Sequence, residues 1–228
     1  MLYCAEMADA LIHEILPVGW LQCNCSILGD PLTHEAVVLD PGDKVDRIVA
    51  LLEKHALKVR AIVSTHAHID HVGGLRHLRE VTGAPVLLHA DDLALYRMLD
   101  LQAEMIGMPA PEMAEVDGLL REGDAVRWGG WEARVLHTPG HTPGSLVLYL
   151  PPVMEQAAAP RLFAGDTLFA GSIGRTDLWG GSFDDIMRSL RHKLLALPDE
   201  TLVYPGHGPS TTIGHERETN PFLRFGRS

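Results

Sequence analysis

Short apolar runs recur along the chain, and most stop at a polar residue set in a turn. Ala36-Val37-Val38-Leu39 runs into Asp40-Pro41-Gly42, and Ala61-Ile62-Val63 into Ser64-Thr65-His66. Val86-Leu87-Leu88 ends at His89, and Val135-Leu136 at His137-Thr138-Pro139-Gly140-His141. Leu162-Phe163-Ala164 ends at Gly165-Asp166, and Leu202-Val203-Tyr204 at Pro205-Gly206-His207. Runs this short, bounded by Gly, Pro and Asp, predict buried strands. Each predicted strand carries a residue able to bind metal just past its end. Several such ends at one edge of a sheet would form a single polar cluster.

Helical patterns lie between these runs. Val45, Ile48, Val49, Leu52 and Ala56 follow the i, i+3, i+4 rule, with Asp46, Arg47, Glu53 and Lys54 on the other side. Phe183, Met187, Leu190 and Leu194 make a second stripe, stopped by Pro198. A third helix is predicted from about Asp91 to Met105. The order predicts a layered α/β architecture over one domain, residues 1–228, with Pro151–Pro160 as a loop between two strands. The Met-rich stretch Met98–Met113, broken by Gly107, Pro109 and Pro111, fits a surface helix with a loop. It equally fits a flexible wall of a substrate pocket, since Met adapts to varied partners.

Composition narrows the function. The chain has 228 residues, 46% of them apolar, which excludes wholesale disorder. Thirty acidic against 19 basic residues give a net charge of -11. That argues against a nucleic-acid partner, which needs clustered Lys and Arg. Cys4, Cys23 and Cys25 make no even disulfide framework and are expected to be structural thiols in a reducing compartment. The first residues carry Glu6, Asp9 and Glu14 and no basic region, unlike a signal peptide. No stretch is long and apolar enough to span a membrane. A cytoplasmic enzyme with no membrane partner is the expectation; oligomeric state is left open. Thirteen histidines call for a reason.

The reason begins at Thr65-His66-Ala67-His68-Ile69-Asp70-His71, which follows a predicted strand. His66 and His68, two apart on an extended segment, point the same way. A turn at Asp70 and His71 would aim a second pair at a neighbouring point. Imidazole and carboxylate are the ligands that zinc and similar cations take. Further ligands are expected from other strand ends: His141, Asp166 and His207, each in a Gly-rich turn. His89 and His137 also stand at strand ends but are expected to pack or bond to backbone. His13, His34, His55, His77 and His192 lie in stretches predicted helical or exposed and receive no role; His215 is left open.

Together the HxHxDH block, His141, Asp166 and His207, in this order, resemble the metallo-β-lactamase fold superfamily. Asn24-Cys25-Ser26-Ile27-Leu28 and Leu39-Asp40-Pro41-Gly42 resemble its opening hairpin and Asp-Gly turn. The resemblance implies a four-layer αββα sandwich holding two divalent metal ions, zinc first, with iron or manganese as alternatives. It implies that His66, His68 and His141 hold one ion, that Asp70, His71 and His207 hold the other, and that Asp166 bridges them. Phe169–Asp177 and Thr212–Phe222 are similar to short glyoxalase II-like hydrolases of hydroxyacylglutathione thioesters.

The implied chemistry is attack of a metal-bridging hydroxide on a small-molecule thioester. Asp70 would act catalytically by orienting the water or taking its proton. A thiol, with a pKa of about 8.5, leaves without a dedicated acid. Arg175 is a candidate contact for a substrate carboxylate, and a salt bridge to Asp177 is the plainer alternative for it. Persulfide dioxygenases also resemble the chain. They would use His66, His141 and Asp166 around one iron. A nuclease or lactonase on the same fold is a further alternative, and the lack of a basic cluster speaks against the nuclease.

Overall fold

A computed structural model describes residues 11–152 and 159–224. The reading of the first residues, and Cys4, lie outside them, as do residues 153–158 of the predicted loop.

Fourteen strands and eight α-helices alternate along the described chain. Strands β1 (Ile12–Val18), β2 (Cys23–Gly29) and β3 (Glu35–Leu39) come first, then helix α1 (Val45–Lys54) and β4 (Lys58–Val63). Helices α2 (Ile69–Val72) and α3 (Leu75–Thr82) lead to β5 (Val86–His89). Helices α4 (Leu93–Tyr96) and α5 (Leu99–Ile106) lead to β6 (Gly118–Leu120). Next come β7 (Ala125–Trp128), β8 (Trp131–His137), β9 (Leu146–Leu150), β10 (Arg161–Gly165), β11 (Leu168–Phe169) and β12 (Ser172–Ile173). Helix α6 (Phe183–His192), β13 (Leu202–Pro205), β14 (Thr211–Thr212), α7 (Ile213–Thr219) and α8 (Pro221–Arg224) close the chain.

Two six-stranded sheets result, ordered β1-β2-β3-β4-β5-β6 and β14-β13-β10-β9-β8-β7. In the first, β3, β4, β5 and β6 run parallel. In the second, β10 and β13 are parallel and the other pairs antiparallel. The predicted loop before β10 joins the antiparallel partners β9 and β10.

The apolar runs are continuous because both faces of these strands are covered. In β3, Ala36 and Val38 face Ile48 and Leu52 of α1 and Leu75 and Leu78 of α3. Val37 and Leu39 face the second sheet, against Trp128, Val135 and Leu148. On the far side of that sheet, Val147, Leu162 and Val203 meet Ile186, Met187 and Leu190 of α6. Three cores between four layers make the αββα sandwich that the family resemblance implied.

The helices differ from expectation in detail. α1 buries Val45, Ile48 and Leu52 as predicted, but it ends before Ala56, whose φ is +52°. In α6 the buried stripe is Ile186, Met187 and Leu190; Phe183 is exposed. The predicted helix from Asp91 is broken. A 3-10 turn at Ala90–Asp92 precedes α4, and Met98, with φ -99° and ψ 19°, separates α4 from α5. Gln102 bridges the break to the loop beside it. Its amide donates to the carbonyls of Leu95 (3.0 Å) and Ala67 (3.1 Å). Its oxygen accepts the Ile69 N–H at 2.9 Å, tying α5 to the HxHxDH loop.

Candidate metal centre

Strand direction places the ligands. β3, β4 and β5 are parallel, so Asp40, His66 and His89 emerge at one edge. β10 and β13, also parallel, deliver Asp166 and His207. The turn between β8 and β9 adds His141. Glycine makes room at two of these turns. Gly165 sits at φ +46°, a left-handed conformation that favours glycine, so that the chain can turn Asp166 inward. At Gly206 a Cβ would run into Asp166 Oδ1 and come within 2.8 Å of His71 Cε1.

All seven predicted ligands converge. His66, His68 and His141 offer ring nitrogens mutually within 4.8 Å, as do His66, His71 and a carboxylate oxygen of Asp166. His207 Nε2 lies 3.1 Å from Asp70 Oδ2 and 3.3 Å from His71 Nε2. His71 Nε2 stands 3.6 Å from Asp70 Oδ2 and 3.4 Å from Asp166 Oδ1. Asp166 Oδ2 is 3.6 Å from His141 Nε2 and 3.7 Å from His207 Nε2. Asp166 therefore faces ligands of both sets, the position expected of a bridge.

The outer ring nitrogens are committed elsewhere. His141 Nδ1 donates to the Arg175 carbonyl (2.8 Å) and His207 Nδ1 to the Leu21 carbonyl (3.0 Å). His71 Nδ1 lies 3.1 Å from Asp40 Oδ2. Thr65 Oγ1 donates to Asp40 Oδ2 (2.8 Å), so it accepts from His66 Nδ1 at 3.1 Å. These bonds fix the tautomers and turn the other ring nitrogens inward, where His68 Nδ1 meets His141 Nε2 at 2.9 Å. Among the described residues, His66 Nε2 and Asp166 Oδ1 are buried with no hydrogen-bond partner. Buried polar atoms are nearly always paired, so an orphaned imidazole nitrogen beside an orphaned carboxylate oxygen calls for a cation. The residues fit metal ions.

Electrostatics agree. Burial, then the neighbouring imidazoles, lowers His66 well below the ordinary histidine range. Burial and His141 lower His68 to about 3. Burial pulls Asp70 upward, but His71 and His207 outweigh it and hold the carboxyl below its usual range. Burial works against charge on His71 and His207 too, yet the anionic groups around them raise both. Positive charge is favoured at this point, and a cation satisfies the same field.

Two acids were missed as parts of the site. Asp40 accepts the Thr65 N–H (2.7 Å) and orients His71. Asp92, fully buried, accepts from Ala67 N (2.8 Å), Thr142 Oγ1 (2.8 Å) and Gly144 N (2.6 Å). It ties the HxHxDH loop to the loop of His141. Asp40 could have been suspected from its place after an apolar run. Asp92 follows no motif, and only the fold reveals its partners.

The remaining histidines divide. His89 and His137 stack at 4.0 Å with planes 13° apart. His13 departs from the expected helical or exposed setting: it lies in β1, edge-on to Tyr204 at 4.5 Å and Phe163 at 5.2 Å. Cys23 and Cys25 are buried free thiols, and burial raises both. Arg175 lines the cavity over the centre, but its guanidinium is forked onto Asp177 at 2.7 and 2.8 Å. The α5 segment lines the same cavity, which favours the pocket-wall reading of the Met-rich stretch over the plain surface helix.

The chain belongs to the metallo-β-lactamase superfamily, whose family model matches residues 18–207. It is 36% identical to hydroxyacylglutathione hydrolase GloC of Haemophilus influenzae, over 92% of this chain and 97% of that protein. The crystal structure of the BLEG-1 B3 metallo-β-lactamase is similar at a TM-score of 0.83 and 37% identity, over 93% of this chain and 99% of that one. That of TTHA1623 in a di-iron-bound form has a TM-score of 0.79 and 43% identity, over 92% of this chain and all of that one. Among the described residues, no helix is long and apolar enough to cross a membrane.

Proposed function

We propose that the chain is a dinuclear metal-dependent hydrolase of thioesters. The observation that carries this reading is the convergence of seven candidate ligand side chains beneath a cavity, with His66 Nε2 and Asp166 Oδ1 left unpartnered among them. The likeness to GloC supports the thioester, and the likeness to a di-iron structure supports two ions. His66, His68 and His141 would hold one ion, Asp70, His71 and His207 the other, and Asp166, which faces both sets, would serve both. Zinc, iron and manganese all accept this donor set. Bound divalent cations supply a hydroxide at neutral pH and polarise the carbonyl.

The chain's own residues set the geometry. The outer bonds of His141, His207, His71 and His66 hold the rings so that a small displacement costs ligand alignment. Asp70 Oδ2, at the cavity floor, orients the attacking oxygen. The departing thiolate needs no separate acid. Arg175 is the proposed contact for an anionic group on the substrate.

The test is hydrolysis of S-lactoylglutathione by protein loaded with zinc, iron or manganese, with metal counted per chain. Two ions and turnover that disappears in His68→Ala are expected. One iron per chain with oxygen consumed on glutathione persulfide would replace this reading by the oxygenase.

A further inference from the structure

The cavity over the metal centre measures about 670 Å³, a size that accepts a whole small molecule rather than a carbonyl alone. Its walls are apolar. Leu101 and Met105, four residues apart, share one face of α5 and turn it to the cavity, and Met98 just before the helix joins them. Leu99 and Ala103, on the other face, are buried in the helix-side layers. Leu178 and Trp179 complete the lining. Leu101 and Trp179 are each 47% exposed and Met105 69%. Large apolar side chains gathered in the open around a polar centre mark a binding surface. A neighbouring hollow of about 180 Å³ shares Leu21, Ile69 and Ile106 with the cavity and continues the apolar surface past Trp20 and Met108.

Charge points the same way. Arg175 is the one Lys or Arg among the described residues lining the cavity, and Asp177 already occupies its fork. A polyanionic substrate finds no other cationic side chain on these walls. The scissile carbonyl must lie over the ligands, so the walls meet the groups attached to it. Of these, the acyl group is the part that can be wholly apolar.

We propose that the cavity is an acyl subsite, and that the preferred substrates are thioesters of medium-length alkyl acids. This rests on the thioester hydrolase reading and names its substrate class. The wall supplies specificity, since each fully buried methylene is worth about fourfold in binding.

The experiment uses the protein with its own metal complement and the N-acetylcysteamine thioesters of acetate, butyrate and hexanoate. kcat/KM should rise at least tenfold from acetyl to hexanoyl. Leu101→Glu and, separately, Met105→Glu put a charge on an exposed wall position and should each cut the hexanoyl-to-acetyl ratio at least fivefold. Turnover with a flat or falling series, or a ratio unmoved by both variants, overturns the acyl subsite and leaves the hydrolase standing. If no thioester is hydrolysed, the hydrolase reading falls. Binding then decides the subsite by itself: hexanoate should quench tryptophan fluorescence with a Kd at least tenfold below that of acetate. Equal affinities overturn it.

Discussion

One edge of the sandwich carries two groups of histidines that look alike in sequence, each residue standing just past an apolar run. In the larger group, outer nitrogens are bound to carbonyl, hydroxyl or carboxylate oxygens, and inner nitrogens converge with Asp70 and Asp166. In the smaller, His89 and His137 lie flat against each other. Their nitrogens, with a carboxylate oxygen of Asp91, also come within 4.8 Å. The difference is direction. A metal sits in the plane of an imidazole, and the planes of two rings 13° from parallel with centroids 4.0 Å apart meet only far beyond coordination distance. His137 Nε2 is moreover taken by the Pro143 carbonyl at 2.8 Å, and His89 Nδ1 accepts the Asp91 N–H at 3.2 Å. Proximity of donors does not make a metal site; a convergence that leaves a buried nitrogen and a buried carboxylate oxygen unpartnered calls for one.

The sharpest break of this contrast removes the shared acid. Asp166→Ala, or His66→Ala, should lower thioester hydrolysis by about a thousandfold or more, as loss of a catalytic metal does. Elemental analysis should show fewer ions per chain. Full metal content in both variants would mean that the orphaned atoms are not ligands.

The support of the centre should also outweigh that of the pair. Asp92→Ala leaves the buried Ala67 N–H and Gly144 N–H without a partner and takes one of two partners from the Thr142 hydroxyl, which keeps Ser145 Oγ at 2.8 Å. Unpaired buried donors cost about 1–3 kcal/mol each, so a loss near 3–5 kcal/mol is expected in urea unfolding. A loss below about 1 kcal/mol would show that the two loops hold together without this carboxyl.

Acid should act on the buried neutral histidines. Burial lowers His13 to about 4 in the folded chain, against 6.5 unfolded. The unfolded state then binds the extra proton first. Stability is complete above about pH 6.5 and falls as pH drops through the window down to about 4, by up to about 3 kcal/mol. His13→Phe should flatten that part of the pH–stability curve. An unchanged slope would place the proton uptake elsewhere, with His89, also lowered by burial, as the next group to replace.

A smaller effect is expected at Asp40, which orients His71 without converging on the ions. Asp40→Asn should weaken metal binding about 10- to 100-fold, measured by competition with a chelator. Unchanged affinity would leave Asp40 as only the clasp of the Thr65 turn.

The candidate ligands were legible because they sit in the chain as spacing: His66, His68, Asp70 and His71 are local, and His141, Asp166 and His207 each lie in the turn after a strand. The layers were legible from doubly buried runs such as Val37-Val38, where successive residues enter different cores. Other features depend on long-range contacts. The break at Met98 is spanned by Gln102, which reaches back to Leu95 and to Ala67 in another loop. Asp92 matters because residues 50 positions away fold onto it. Phe183 matched a helical stripe, but the sheet beneath meets Ile186 instead. Arg175 could be placed near the site but not assigned a free charge, since the fork to Asp177 is set by local side-chain geometry.

The smallest expected effect is the most direct test of the contrast. His89→Phe keeps a flat ring against His137 and removes the nitrogen that accepts the Asp91 N–H. That bond spans a partly exposed turn, so its loss should cost no more than about 1 kcal/mol. Metal per chain should match the parent, and thioester turnover should stay within about twofold. If His89→Phe instead loses an ion, the pair is a ligand set after all. His89 and His137 would then have to rotate out of their stack to bind it, and a ring flip would be part of metal loading at that edge.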